Sequence, residues 1–210
     1  MPPNLTLERI RKSQILDAAV RIMSAQGVNG VTVDDVASAS GLSKGGLVHY
    51  FPSKDILFRE TFKEVFKRIF TRGLETMNLY DDPLDKLLSF LWIYDREDPD
   101  VCIAYPLLFD GMALAAHDPE YGSLFHDWFE NWVVMLKTAL KEGIEAGLFT
   151  VDDVDGTARA ISATYQGIAT RWYLDSETHS TEWAKNFVRR AVTRLAGFDC
   201  GNSRSGKKTL

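Results

Sequence analysis

The stretch that decides the fold is Val33-Asp34-Asp35-Val36-Ala37-Ser38-Ala39-Ser40-Gly41-Leu42-Ser43-Lys44-Gly45-Gly46-Leu47-Val48-His49-Tyr50-Phe51. Thr32 before it reads as an N-cap, with acidic Asp35 three residues on, a variant of the capping box. A short helix then runs to about Ser40. Gly41 can take the left-handed conformation that a sharp turn between helices needs. Ser43 can cap a second short helix, Lys44 to Tyr50. Ala37 is small where that second helix must cross closely, and Val36, Leu42 and Leu47 supply an apolar interior. This is the construction of a helix-turn-helix, whose second helix is shaped to enter a DNA major groove. An ordinary helix–glycine–helix hairpin fits the same residues.

The rest of the chain is helical in period almost throughout. Ile15, Ala19 and Ile22 share one face of a helix over about 7–26, which Gly27 ends. Ser53 caps a long fourth helix to about Met77, with the apolar stripe Phe58, Phe62, Val65, Phe66, Ile69, Phe70. Asp81-Asp82-Pro83 opens a fifth helix, and Asp98-Pro99-Asp100 separates it from a sixth over about 100–116. Asp118-Pro119 starts a seventh that ends near Gly147. Asp152 or Asp153 starts an eighth to about Leu174, and Ser180 or Thr181 a ninth to about Gly197. No alternating strand pattern of useful length occurs. The reading is an all-α chain of about nine helices: a helix-turn-helix domain at 1–54, a larger helical domain at 55–198, and a polar tail at 199–210 expected to be disordered.

Composition narrows the function classes. Of 210 residues, 45% are hydrophobic and 25% charged, which argues against global disorder. The longest uncharged apolar stretch, 101–109, contains Pro106 and is too short to span a bilayer, and the N-terminus has no apolar signal-peptide core. Cys102 and Cys200 are too few for a disulfide framework or a zinc site, and Cys102 is expected to be buried and inert. The expectation is a cytoplasmic protein with no membrane partner. The net charge of −5 at first argues against nucleic acid, but it is unevenly spread: the first 54 residues carry +2 and the remainder −7.

The run from Gly41 through Ser53-Lys54-Asp55-Ile56-Leu57 strongly resembles the TetR family of transcriptional regulators, whose pattern is roughly Gly-hydrophobic-Ser-x-Gly-x-Leu-Tyr-x-His/Tyr-Phe-x-Ser/Asn-Lys-x-x-Leu. The likeness is strong over residues 10–60. The later residues match chiefly in length and helix number, with Glu142–Phe149 and the helix start at 152–155 as the most family-like local features. The resemblance implies a repressor that binds a palindromic double-stranded DNA operator as a homodimer and is released when a small-molecule effector binds the C-terminal domain. It places Lys44 and Gly45 at the front of the recognition helix, where the family contacts bases. It places Tyr50 and Lys54 where the family usually touches phosphate, with Thr32 and Ser43 as further phosphate contacts beyond their capping roles. Gly46 stands where the family often has Ser or Thr, and Val48 where it often has Tyr, so two contacts are in doubt. Gly45 and Gly46 each weaken the helix by roughly 1 kcal/mol, which implies a recognition helix that DNA helps to order. His49 either points into the groove or is a solvated side chain.

For the effector, the resemblance selects Tyr105, Asp110, Trp128, Trp132, Tyr165 and Gln166, among aromatic residues that otherwise read as core. If Asp110 or Glu130 faced Trp128 or Trp132, a cationic ligand would gain charge pairing and a cation–π contact. Small residues Ala160, Ala163, Thr164 and Gly167 of the eighth helix, with Phe187, Val188, Ala191 and Leu195 of the ninth, form stripes suited to a four-helix dimer interface or to closing the chain's own core. No cofactor is expected. No Gly-rich phosphate loop, nucleophile elbow or metal-ligand spacing is present, so no catalytic or metal site is expected and an enzyme is disfavoured. His117, His126 and His179 read as caps or surface groups. The remaining alternative is a DNA-binding protein that answers to no ligand.

Overall fold

A computed structural model describes residues 5–198 of the chain. Cys200 and the tail at 199–210 lie outside the described residues. Among the described residues there are nine α-helices: α1 (Leu5–Gln26), α2 (Val33–Ala39), α3 (Lys44–Tyr50), α4 (Lys54–Met77), α5 (Pro83–Leu88), α6 (Pro99–Ala115), α7 (Pro119–Glu145), α8 (Val154–Leu174) and α9 (Thr181–Leu195). No strand occurs among them. The all-α expectation holds, and most boundaries agree with the capping residues read from sequence. The Ser180 hydroxyl accepts from the Trp183 amide at 3.1 Å, and the Asp153 carboxylate accepts from the Gly156 amide at 2.9 Å.

Two segments differ from expectation. A 3₁₀ turn occupies Val28–Gly30 between α1 and α2. The fifth helix stops at Leu88 and continues as a 3₁₀ helix over Ser89–Tyr94. That run, Ser-Phe-Leu-Trp-Ile-Tyr, is dominated by aromatic and β-branched side chains that lose rotamer freedom in an α-helix. The 3₁₀ form still buries Phe90 and Tyr94.

The described residues pack as two compact units. The first comprises 5–69 and 99–126, the second 70–98 and 127–198. The division passes through α4 and α7, so each of these long helices supplies residues to both.

In the first unit, Ile15, Ala18, Ala19 and Met23 of α1 are fully buried, with Val36 of α2 and Leu47 of α3. The 3.6-residue period puts these apolar positions on inward faces, as anticipated for Ile15 and Ala19. Helix α6 packs on α1. Its Gly111 lies so close to Phe62 and Phe125 that a Cβ there would stand 2.7 Å from Phe62 Cε1 and 2.9 Å from Phe125. Glycine is required here by close approach, since its φ is not positive. Phe66 and Phe125 meet edge to face at 5.0 Å, as do Phe62 and Tyr121 at 5.7 Å. Cys102, on α6, is exposed rather than buried as expected. It occupies the outer position of a helix whose inward positions are Val101, Tyr105 and Leu107.

In the second unit, α8 and α9 pack against each other around Trp172, Ile161, Ala184, Val188 and Val192. Two tyrosines tie backbone groups across this core. The Tyr94 hydroxyl donates to the Tyr165 carbonyl and the Tyr165 hydroxyl to the Leu87 carbonyl, each at 2.8 Å. Both hydroxyls are buried and satisfied, as buried polar groups must be. Burial also pushes the Tyr165 phenol far above its ordinary pKa.

Candidate functional site

The helix-turn-helix is assembled by local hydrogen bonds that the sequence encodes. The Asp35 amide donates to Thr32 Oγ1 at 3.2 Å, and the Thr32 amide donates to Asp35 Oδ2 at 2.8 Å, a complete capping box at the start of α2. The hydrogen bonds from the Thr32 hydroxyl and amide hold the Asp35 carboxyl below its ordinary pKa. Gly41 has φ +69°. The Leu42 amide reaches back to the Ala37 carbonyl at 2.9 Å, which closes the turn. Ser43 Oγ then accepts from the Gly46 amide at 3.2 Å and starts α3. Phe51, after α3, and Leu57, early in α4, are buried. Helix α3 spans Lys44–Tyr50. The Ser43 cap, worth about 1 kcal/mol, and the buried Leu47 offset the weakness of Gly45 and Gly46.

The expected DNA-binding residues lie on or next to these elements. Thr32, Ser43, Lys44, Gly45, His49 and Lys54 are exposed, while Gly46 and Tyr50 are half-buried. A Cβ at Gly45 would meet nothing within 4 Å, so the chain's own packing does not demand glycine there. The His49 and Tyr50 rings stand edge to face at 5.3 Å. Lys54, the first residue of α4, lays its ammonium over the Phe58 ring at 4.8 Å. Sequence reading missed one contact in this surface. Lys44 Nζ pairs with Asp34 Oδ2 at 2.8 Å, with both side chains mostly exposed. The two residues are ten apart across the turn, so no helical spacing could have signalled the pair.

The six expected effector residues divide between the two units. Tyr105 and Asp110 belong to the first, and Trp128, Trp132, Tyr165 and Gln166 to the second. Tyr105 is buried beside Phe109, with ring centroids 6.3 Å apart. Asp110 makes a contact that its position in the sequence does not signal. Its Oδ2 accepts a 2.8 Å hydrogen bond from the Val28 amide, 82 positions earlier in the chain. It thereby holds the turn that leads from α1 into the helix-turn-helix. Glu130 is likewise engaged, making two hydrogen bonds with the Arg159 guanidinium at 2.5 and 2.9 Å. Arg159 also bonds Asp155, which Lys137 approaches at 2.6 Å. These cationic partners hold the Asp155 carboxyl below its ordinary pKa.

The second unit does gather aromatic rings. Trp132 stands edge to face with Phe90 at 5.1 Å, with Phe70 at 6.1 Å and with Trp128 at 6.3 Å, and Phe90 meets Tyr165 at 5.9 Å. The Tyr165 hydroxyl proton is committed to the Leu87 carbonyl, which leaves the oxygen as an acceptor and the ring for other contacts. Gln166 is half-buried.

Of the expected interface residues, Ala163, Gly167 and Phe187 are exposed, and Ala160, Thr164, Ala191 and Leu195 are half-buried. Phe187 is 46% exposed, a large apolar group facing out of α9. Val188 is 0% exposed within its own chain and packs in the α8–α9 core, so it is removed from the expected set. A one-residue step on a helix turns the side chain by about 100°, which separates Phe187 from Val188.

Among the described residues no group of three or more His, Cys, Asp or Glu side chains is placed to hold a metal ion. Among the same residues no helix is long and apolar enough to cross a membrane.

Comparison with known proteins agrees with this architecture. Residues 15–61 match the family model described as bacterial regulatory proteins, tetR family, and residues 84–197 match the model described as BetI-type transcriptional repressor, C-terminal. The HTH-type transcriptional regulator BetI of Rhizobium meliloti is 25% identical over 183 residues, 86% of each chain. The biofilm operon icaADBC negative transcriptional regulator IcaR of Staphylococcus aureus is 29% identical over 89 residues, 41% of this chain and 48% of that one. Among solved structures, a TetR transcription regulator from Haloarcula marismortui superposes with TM-score 0.74 at 23% identity, covering 90% of this chain and 97% of that one. A transcriptional regulator from Saccharomonospora viridis, in complex with choline, gives TM-score 0.77 at 20% identity over 85% and 93% of the chains. At such identities the superpositions establish a common fold.

Proposed function

The chain belongs to the tetR family of bacterial regulatory proteins, DNA-binding transcriptional regulators rather than enzymes, and from that premise we propose that it is a repressor released from DNA by a small organic cation. The observation that carries the DNA side is helix α3, capped by Ser43 and anchored by buried Leu47, with Lys44 and Gly45 exposed at its front. In this reading the DNA-binding domain is 1–54 and the effector and dimerisation domain 55–198. Lys44 and Gly45 contact base edges, with Gly46 and His49 beside them. Thr32, Ser43, Tyr50 and Lys54 contact phosphate, which fixes register without reading sequence. The start of α4 adds amide N–H groups that favour an anion beside Lys54.

The operator is palindromic because two copies of the chain bind it, their recognition helices about 34 Å apart, one turn of DNA. The copies meet through α8 and α9, where Ala163 and Gly167 permit close approach and Phe187 offers an exposed apolar anchor. The effector is a quaternary ammonium compound of the size of choline. Two facts support this: the cluster of Phe70, Phe90, Trp128, Trp132 and Tyr165, since aromatic faces attract a cation that cannot hydrogen-bond, and the choline complex of a protein of the same fold. Release follows if the effector favours a conformation in which the two recognition helices are wrongly spaced. Linkage then requires DNA to weaken effector binding by the same factor.

The test begins by selecting DNA from a random duplex pool with the purified protein. A palindrome bound by two chains, and released by choline, is the expected result. One chain on an asymmetric site would sink the dimer reading. Operator affinity indifferent to choline would sink the quaternary-ammonium reading and leave the DNA-binding assignment standing.

A further inference from the structure

We propose that Asp34 is a specificity-determining residue, which holds Lys44 in the DNA-free protein and so penalises contacts to arbitrary phosphate more than contacts to the correct base pair. The inference rests on the base-contacting role proposed above for Lys44. Its geometric basis is the ion pair between Asp34 Oδ2 and Lys44 Nζ at 2.8 Å.

The pairing itself is not explained by folding. The capping of α2 is performed by Thr32 and Asp35, which exchange hydrogen bonds with each other and leave Asp34 out. Asp34 does suit the positive end of α2, but that role does not require it to reach across the turn to α3. Lys44 is the first residue of α3, where a cation opposes the helix dipole. With the side chains 62% and 64% exposed, the pair is of the kind that contributes little to stability. Lys44 is therefore at the front of α3 for something outside the chain, and Asp34 is the anion that any such partner meets there.

The cost of meeting it differs between partners. A phosphate oxygen brought to Lys44 Nζ also comes up against the Asp34 carboxylate, anion against anion. Lys44 has three donor hydrogens, so it can keep one on Asp34 and give the other two to O6 and N7 of a guanine edge, a neutral group that the carboxylate does not repel. The DNA-binding segment carries only +2, so one carboxylate next to its leading lysine is a large share of its electrostatic attraction to DNA. Asp34 thus lowers affinity for all DNA and lowers it most where Lys44 finds only phosphate.

The experiment compares wild type, Asp34→Asn, Lys44→Ala and the double variant. The probes are a random-sequence duplex pool and the duplex that wild type enriches from it, each titrated at several salt concentrations. Asp34→Asn leaves the Thr32–Asp35 box intact and is expected to melt with wild type. It should bind the random pool roughly fivefold more tightly and steepen the salt slope by about one released counterion. The enriched duplex should gain less, so the ratio of specific to random affinity falls. In the Lys44→Ala background the Asp34→Asn gain should vanish. Equal gains on both DNAs, no gain on the random pool, or the same gain without Lys44 would each overturn the proposal. If Lys44→Ala alone binds both DNAs as wild type does, the Lys44 reading itself fails, and that outcome is distinguishable because it appears in the single variant.

Discussion

Replacing Asp110 by alanine separates two roles for this residue, a ligand in an effector site and a clamp on the entry to the helix-turn-helix. The carboxylate accepts the Val28 amide at 2.8 Å, and Val28 is a buried residue. The alanine variant leaves that amide without its acceptor. A hydrogen bond to a charged group contributes about 1.5–3 kcal/mol, and for a half-buried carboxylate about 2 kcal/mol is the fitting figure. For a chain of this size each kcal/mol moves the melting temperature by about 2–4 °C, so Asp110→Ala should melt about 4–8 °C lower. Asp110→Asn keeps an accepting oxygen without the charge and should lose about half as much. Thermal unfolding measures the global effect, and amide hydrogen exchange at Val28 measures the local one. Val28 should be protected in wild type, unprotected in the alanine variant and intermediate in the asparagine variant. Unchanged melting and unchanged Val28 exchange in Asp110→Ala would refute the clamp. A selective loss of choline response at wild-type stability would return Asp110 to the effector site.

Further outcomes follow from other contacts. Lys54→Ala should weaken binding to all DNA sequences alike and reduce the salt slope by about one, since its proposed partner is phosphate; titration over a salt series reads both. Gly111→Ala forces a methyl against Phe62 and Phe125 and should cost about 1–3 kcal/mol in chemical denaturation, because both rings are already packed. The Tyr121 phenol is pushed up to about 12, first by burial and then by the Asp55 carboxylate. A phenol ionises near pH 10 in an unfolded chain, so the stability this group contributes is complete below about pH 10 and is lost as pH rises toward 12. Alkaline unfolding should therefore be shallower in Tyr121→Phe than in wild type, with the difference confined to that window.

The legible parts of this protein were those set by local spacing. Thr32 with Asp35, Gly41, Ser43, Ser53, Asp153 and Ser180 each act within four residues, and each performs the capping or turning role that its type and position imply. Long helices with strong periodicity were placed to within a few residues. The run 89–94 was not, because the aromatic and β-branched side chains that disfavour an α-helix there carry no capping signal that marks where α5 gives way to the 3₁₀ form. The inward placement of Val188 was equally hidden. Its neighbour Phe187 is apolar as well, and only the packing of α9 on α8 decides which of the two is core.

By itself, the sequence determined an all-α chain with a DNA-reading helix-turn-helix at its start, because capping, turning and amphipathic burial are decided by residues a few positions apart. The tertiary structure alone decided which polar side chains pair across long stretches of the chain. Asp110, ranked among effector contacts, holds an amide 82 residues away; Glu130 holds Arg159; Asp34 holds Lys44. Such pairings depend on where folded elements bring charges together in space. The separation along the chain carries no trace of them, since a carboxylate can satisfy any donor that the fold delivers within about 3 Å.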